Sequence, residues 1–244
     1  MEPAGRHVHT TTGGKLVISC GPPRKRFPDP KTRNKEDDEL VIYTDGACYR
    51  NGKEDAQASI GVWFGPKHTL NISKVIALDQ RQTNNTAEIL AAVEAVKQSR
   101  VIGNRKVRIL TDSELLVNGW NISIPMWQLN GWKNAAGNPV KNRPEFTMLI
   151  EEVARTPGLS LEIEHVPGHG DSVGNVGADA LAVMAIRKYV DKKNDELWMH
   201  GPNVEPLVYV RSIYGNKRER TNMSEIERVI IEESCQEVQE RNER

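Results

Sequence analysis

The stretch Leu40-Val41-Ile42-Tyr43-Thr44-Asp45-Gly46 decides how the rest of the chain is read. An apolar, β-rich run leads without a break into an acid and a glycine. Such a run predicts a strand covered on both faces that ends at Asp45-Gly46. The carboxyl end of a buried strand is also where open α/β sheets present their functional groups.

Working outward, Ala58 to Phe64 alternates as a second strand, stopped by Gly65-Pro66, and Leu70 to Leu78 reads as a third. Short polar connectors make these three an antiparallel meander. The period then changes. Glu88, Ile89, Ala92, Val93 and Val96 recur at helical spacing, with Asn84 or Asn85 as the cap. Val107 to Leu110 is a buried-type strand that runs into Thr111-Asp112, and Ser113 to Gly119 begins a short helix. Asn142-Arg143-Pro144 opens another helix, which runs to about Arg155. Leu161 to Val166 is a fifth strand, and Val176 to about Tyr189 a final helix. This order predicts an α/β fold. Its mixed five-stranded sheet has three antiparallel strands followed by parallel ones, flanked by helices.

The flanks differ in composition. Residues 1–38 hold eight basic and five acidic side chains, with prolines around Arg24-Lys25-Arg26. They are expected to be a disordered N-terminal segment with a basic patch. Residues 39–190 balance at 16 basic and 16 acidic groups and form the expected globular domain. Residues 191–244 are an acidic extension, with Leu207 to Ile213 as a weak strand. In it, Ser224-x-x-Glu227 resembles a capping box opening an amphipathic helix over 224–241. That helix packs on its own domain, or it meets a partner, or the tail is mostly disordered.

Cys20, Cys48 and Cys235 make neither a disulfide framework nor a metal motif. No apolar run approaches the roughly 20 residues of a membrane span, and the first residues do not read as a secretory signal. The expectation is a monomer in the nucleus or cytoplasm, not at a membrane and not secreted. The net charge of zero is compatible with a nucleic acid substrate, but it predicts modest non-specific affinity.

Four acids stand in local contexts suited to metal-assisted phosphate chemistry. Asp45 and Asp112 close strands, and Glu88 and Asp179 sit on helices. His169 lies between glycines ten residues before Asp179. Magnesium prefers oxygen ligands, and clustered carboxylates repel one another until a cation relieves them. If the fold gathers these acids, they make a two-metal site for cutting a nucleic acid backbone.

Five ordered blocks then identify a resemblance. They are Tyr43-Thr44-Asp45-Gly46-Ala47-Cys48, Arg81-Gln82-Thr83-Asn84-Asn85-Thr86-Ala87-Glu88, Leu110-Thr111-Asp112-Ser113, Asn130-Gly131-Trp132-Lys133, and His165-Val166-Pro167-Gly168-His169 with Gly174-Asn175 and Ala178-Asp179. Over about residues 39–190 the chain resembles ribonuclease H type 1, of the cellular kind. The resemblance implies an RNase H-like fold and hydrolysis of the RNA strand of an RNA–DNA hybrid, leaving 5′-phosphate and 3′-hydroxyl ends. It implies two Mg²⁺ ions, for which Mn²⁺ can substitute, held by Asp45, Glu88, Asp112 and Asp179, with His169 as the family's mobile histidine, serving proton handling or product release. It also implies that Asn51, Asn84 and Asn85 contact the RNA strand, and that Arg81, Thr83 and Asn142 hold a phosphate of the DNA strand. Gln82 is expected to be structural, behind the asparagine row.

The segment Met126 to Lys133 matches the family's basic handle but carries a single lysine. Ser123 stands where relatives often place an aromatic against the DNA. Trp120 takes that part, or Trp120, Trp127 and Trp132 belong to the core. Within the superfamily, a retroelement or integrase-like nuclease is the alternative. A binding protein with a vestigial site is a reading from another class.

Overall fold

The computed structural model describes residues 6–10, 16–20, 39–168, 172–199, 233, 236–238 and 240–242. Two antiparallel strands, β1 (Arg6–Thr10) and β2 (Leu16–Cys20), form a small separate sheet. The polar composition around them predicted no regular structure there. Their register runs from Arg6 opposite Cys20 to Thr10 opposite Leu16.

The main sheet has β3 (Leu40–Tyr49), β4 (Gln57–Trp63), β5 (Ile72–Val75), β6 (Lys106–Thr111) and β7 (Ser160–His165) in the spatial order β5-β4-β3-β6-β7. The pairs β3–β4 and β4–β5 are antiparallel; β3–β6 and β6–β7 are parallel. This is the mixed five-stranded sheet that the pattern predicted. The strand limits differ in two places. β3 does not stop at Asp45 but continues to Tyr49, because β4 goes on pairing with it from Tyr43–Trp63 to Tyr49–Gln57. β5 keeps only four of the nine residues expected: Ile72 to Val75 are in ladder register with β4, and the Ile76 amide adds one last bond to the Ala58 carbonyl at 2.9 Å.

Helices cover both faces. α1 (Asn84–Val101), α2 (Glu114–Asn118), α3 (Ile124–Leu129), α4 (Arg143–Ala154) and α5 (Val173–Met199) follow in order, with a π-helical turn at Gly119–Ser123 joining α2 to α3. The even residues of β3 and β4, such as Ile42, Ile60 and Val62, pack into the main core with Ala91 and Val96 of α1 and Phe146 and Leu149 of α4. Ile42, Ile109 and Ile163 carry this core across three neighbouring strands, each contributing roughly 2 kcal/mol by burial. The odd residues face α5, where Trp63 packs with Ala178 and Leu181, and Tyr49 with Ile186 and Val190. α5 begins earlier and runs further than the 176–189 span expected.

Thr83, not Asn84 or Asn85, caps α1: its backbone is extended and its side chain accepts from the N–H of Thr86. Trp120 is fully buried in the main core, so it does not stand in for a surface aromatic on the handle. Trp127 and Trp132 are half-buried and packed against that core, Trp127 also lying on Phe146. In the C-terminal extension residues 191–199, 233, 236–238 and 240–242 are helical; Leu207 to Ile213 and residues 224–232 lie outside the described residues. No helix among the described residues is long and apolar enough to cross a membrane.

Candidate active site

Asp45 sits where the sheet divides. β3 pairs with β6 only through Leu40–Val107 to Tyr43–Leu110 and then runs on with β4 alone. Asp112 follows the last residue of β6, on the other side of this fork. Two glycines bring in the helices. A Cβ on Gly46 would lie 2.4 Å from the backbone nitrogen of Glu88 and 2.7 Å from the carbonyl carbon of Ala87. The bare glycine therefore lets α1 lie against β3 with Glu88 beside Asp45. Gly61 is the cross-strand partner of Asp45. A Cβ there would lie 1.9 Å from the carbonyl oxygen of Ala178, so the glycine admits α5, which carries Asp179.

The outcome is a compact acidic cluster. Carboxylate oxygens of Asp45, Glu88 and Asp112 all lie within 4.8 Å of one another. Asp45 and Glu88 are 8% and 5% exposed, while Asp112 is half-buried. Asp179 lines the same cavity, of about 530 Å³, with Asn84 and Asn85, but stands outside the tight group of three. Burial, then the charges of Asp179 and Asp112, push the Asp45 carboxyl well above the ordinary range. Burial and the charges of Asp45 and Asp112 do the same to Glu88. The amide of Gly46 donates to Asp45 Oδ1 at 2.7 Å and opposes the shift at Asp45. Glu88 Oε2 is buried with no hydrogen-bond partner. Crowded oxygen donors, two carboxyls raised by burial and then by their neighbours' charges, and one orphaned oxygen fit a hard divalent cation.

The asparagine row lies beside this cluster. Asn84 Nδ2 donates to Glu88 Oε1 at 3.4 Å, and the Asn84 amide donates to Asn51 Oδ1 at 3.4 Å. Gln82 is tied into the scaffold behind the row. Its Oε1 accepts from Gln57 Nε2 and the Ala58 amide, and its Nε2 donates to the carbonyls of Ala77 and Gln80. The Cys48 thiol, at the wall of the cavity, is pushed up to about 11 by burial. The backbone of Gly168 lies close to Asp112; His169 itself falls outside the described residues.

A second group forms where the N-termini of α1 and α4 meet. Arg81 and Thr83 come from the approach to α1, and Asn142 precedes α4. Two residues to which the motifs gave no role join them. Thr86 Oγ1 donates to Glu145 Oε1 at 3.1 Å, and Arg81 Nη2 lies 4.0 Å from the same oxygen. In sequence, Thr86 and Glu145 look like ordinary first-turn helix residues, and only the packing of the two helices shows them touching.

A family model described as RNase H matches residues 37–187. The chain belongs to the RNase H family. It is 39% identical over 181 residues to Ribonuclease H1 of Homo sapiens, covering 74% of this chain and 58% of that protein. It is 34% identical over 145 residues to Ribonuclease HI of Pseudomonas aeruginosa, covering 59% of this chain and 91% of that one. Thus the chain spans little more than half the length of the mammalian RNase H relatives it matches. Among solved structures, the RNase H domain of PFV is 27% identical with a TM-score of 0.46, covering 59% of this chain and 92% of that domain.

Proposed function

We propose that this RNase H family member hydrolyses the RNA strand of RNA–DNA hybrids, leaving 5′-phosphate and 3′-hydroxyl ends. The observation that carries the reading is the trio Asp45, Glu88 and Asp112, gathered within 4.8 Å on a cavity that Asn84 and Asn85 also line. Asp45, Glu88 and Asp112 would hold one divalent ion, and Asp45 with Asp179 a second. When bound, two Mg²⁺ ions, or Mn²⁺ in their place, supply an acidified water and neutralise charge on the phosphate.

The remaining work belongs to the chain. Asn51, Asn84 and Asn85 distinguish RNA from DNA through the 2′-hydroxyl, which both donates and accepts. Arg81, Thr83 and Asn142 fix the DNA strand by one phosphate, setting the register of the hybrid over the acids. His169 carries protons at the departing 3′ oxygen. The catalytic unit is residues 39–190, acting as a monomer in the nucleus or cytoplasm.

The test is end-labelled hybrid incubated with Mg²⁺ or with EDTA, beside Asp112→Asn. Metal-dependent cutting of the RNA strand alone, lost in the variant, is expected. No cutting would overturn the enzyme reading, and cutting of double-stranded DNA would replace it with an integrase-like one.

A further inference from the structure

We infer that Glu145 is a positioning residue, which holds Arg81 in place for a substrate phosphate through the hydroxyl of Thr86. The inference rests on the reading of Arg81, Thr83 and Asn142 as a phosphate pocket, and it adds two residues to that pocket.

Glu145 lies in the first turn of α4 and is 6% exposed. One of its oxygens accepts from Thr86 Oγ1 at 3.1 Å, while Oε2 is buried without a partner. The helix N-terminus makes a buried carboxylate tolerable there. A carboxylate can only accept, so the single proton of the Thr86 hydroxyl is committed to it. The Thr86 oxygen is then left as an acceptor. Two donors face it: Thr83 Oγ1 at 3.0 Å and Arg81 Nε at 3.5 Å.

This arrangement has a direction. Thr83 has one proton and must withdraw it from Thr86 to donate to a phosphate. Thr86 then still has Arg81 Nε, which keeps the guanidinium anchored at one edge; Nη2 lies 4.0 Å from Glu145 Oε1, outside hydrogen-bond reach, so the Nη protons remain for the anion. Asn142, also 6% exposed, adds a second sign that something binds here: its Nδ2 is a buried donor with no partner. An unpaired buried donor is costly, and a phosphate oxygen would satisfy it.

Hybrid cleavage measured at several salt concentrations tests this, with Arg81→Ala as the benchmark for the pocket. Glu145→Ala and Thr86→Val are each expected to raise KM about tenfold with kcat little changed. They should also flatten the dependence of log affinity on log salt by about one, as Arg81→Ala does. Glu145→Gln still offers an oxygen to Thr86, so it should keep KM within about threefold of the parent. A change that merely loosened the fold would lower the active fraction without touching the salt slope.

If Arg81→Ala moves KM and slope but Glu145→Ala and Thr86→Val do not, the inference falls and the pocket stands. If Arg81→Ala moves neither, the pocket reading falls and takes the inference with it. A Gln variant as impaired as the Ala variant would assign the effect to charge and overturn the hydroxyl relay. Should Glu145→Ala fail to fold, Thr86→Val and Glu145→Gln decide by the same readouts.

Discussion

Two glycines and two acids show how single residues set this site. Gly46 and Gly61 have no room for a methyl group, and the atoms in the way are backbone atoms of α1 and α5. Gly46→Ala and Gly61→Ala should therefore each cost about 3 kcal/mol or more, because the helix and not a side chain must move. Urea melts of the two variants check this, and metal-binding titrations should show the site loosened with them. Asp45 and Glu88 work against the metal-free fold. Both hold their protons to higher pH in the folded chain than in the unfolded one. Their favourable contribution is fully present below the ordinary carboxylate range and is lost as pH rises through the raised values. Metal-free Asp45→Asn should thus melt a few degrees above the parent at neutral pH, and the gap should close near pH 3–4. Added Mg²⁺ should reverse the order, since the parent gains more from binding. Thermal melts over pH, with and without Mg²⁺, give the answer.

At the scale of the element, the handle separates packing from binding. Trp127 lies on Phe146 and on Trp132, and Arg143 lies over the Trp132 ring. These contacts seat α3 on the core. The outer face instead presents Ile122, Met126 and Leu129, the last 86% exposed. Leu129→Lys should leave stability within about 0.5 kcal/mol, and it should tighten hybrid binding while steepening its salt dependence. Binding titrations at two ionic strengths would show the parent's affinity and salt slope unaltered if the handle lies off the hybrid's path. α1 teaches a related lesson. Its apolar spacing made the helix legible, but its start was not, because threonine and asparagine are both good caps. The choice fell to Thr83 because its extended backbone aims its hydroxyl at the Thr86 amide.

Across the whole molecule, the described helical residues of the C-terminal extension, 233, 236–238 and 240–242, lie against the sheet beside β5. Val238 is buried with Trp63, Ala178 and Leu181. Arg241 donates to the carbonyls of Thr69 and Asn71, and Asn242 donates to that of Ser73 at 3.1 Å. Lys67 pairs with Glu233 at 2.7 Å. β5 is an edge strand, and unpaired edges invite pairing with other chains. Val238→Asp should undock the helix by placing a charge in an apolar site. Hydrogen exchange of the β5 amides should then quicken, and light scattering should show the variant associating at high concentration. Unchanged exchange would mean that the helix does not guard this edge.

The chain's own order of residues determined the class of the fold. Strand and helix periods are local, and a run such as Leu40 to Thr44 or Glu88 to Val96 carries its period whatever surrounds it. The same order named the four acids, because each sits in a short block that survives reading alone. Tertiary structure decided what no local pattern holds. It carried β3 past Asp45, since a strand ends where its neighbour does. It closed three acids into one group and left Asp179 beside them, through contacts that two missing side chains permit. It also joined Thr86 to Glu145, 59 residues apart in the chain, because hydrogen bonds between helix ends depend on packing and leave no trace in either segment.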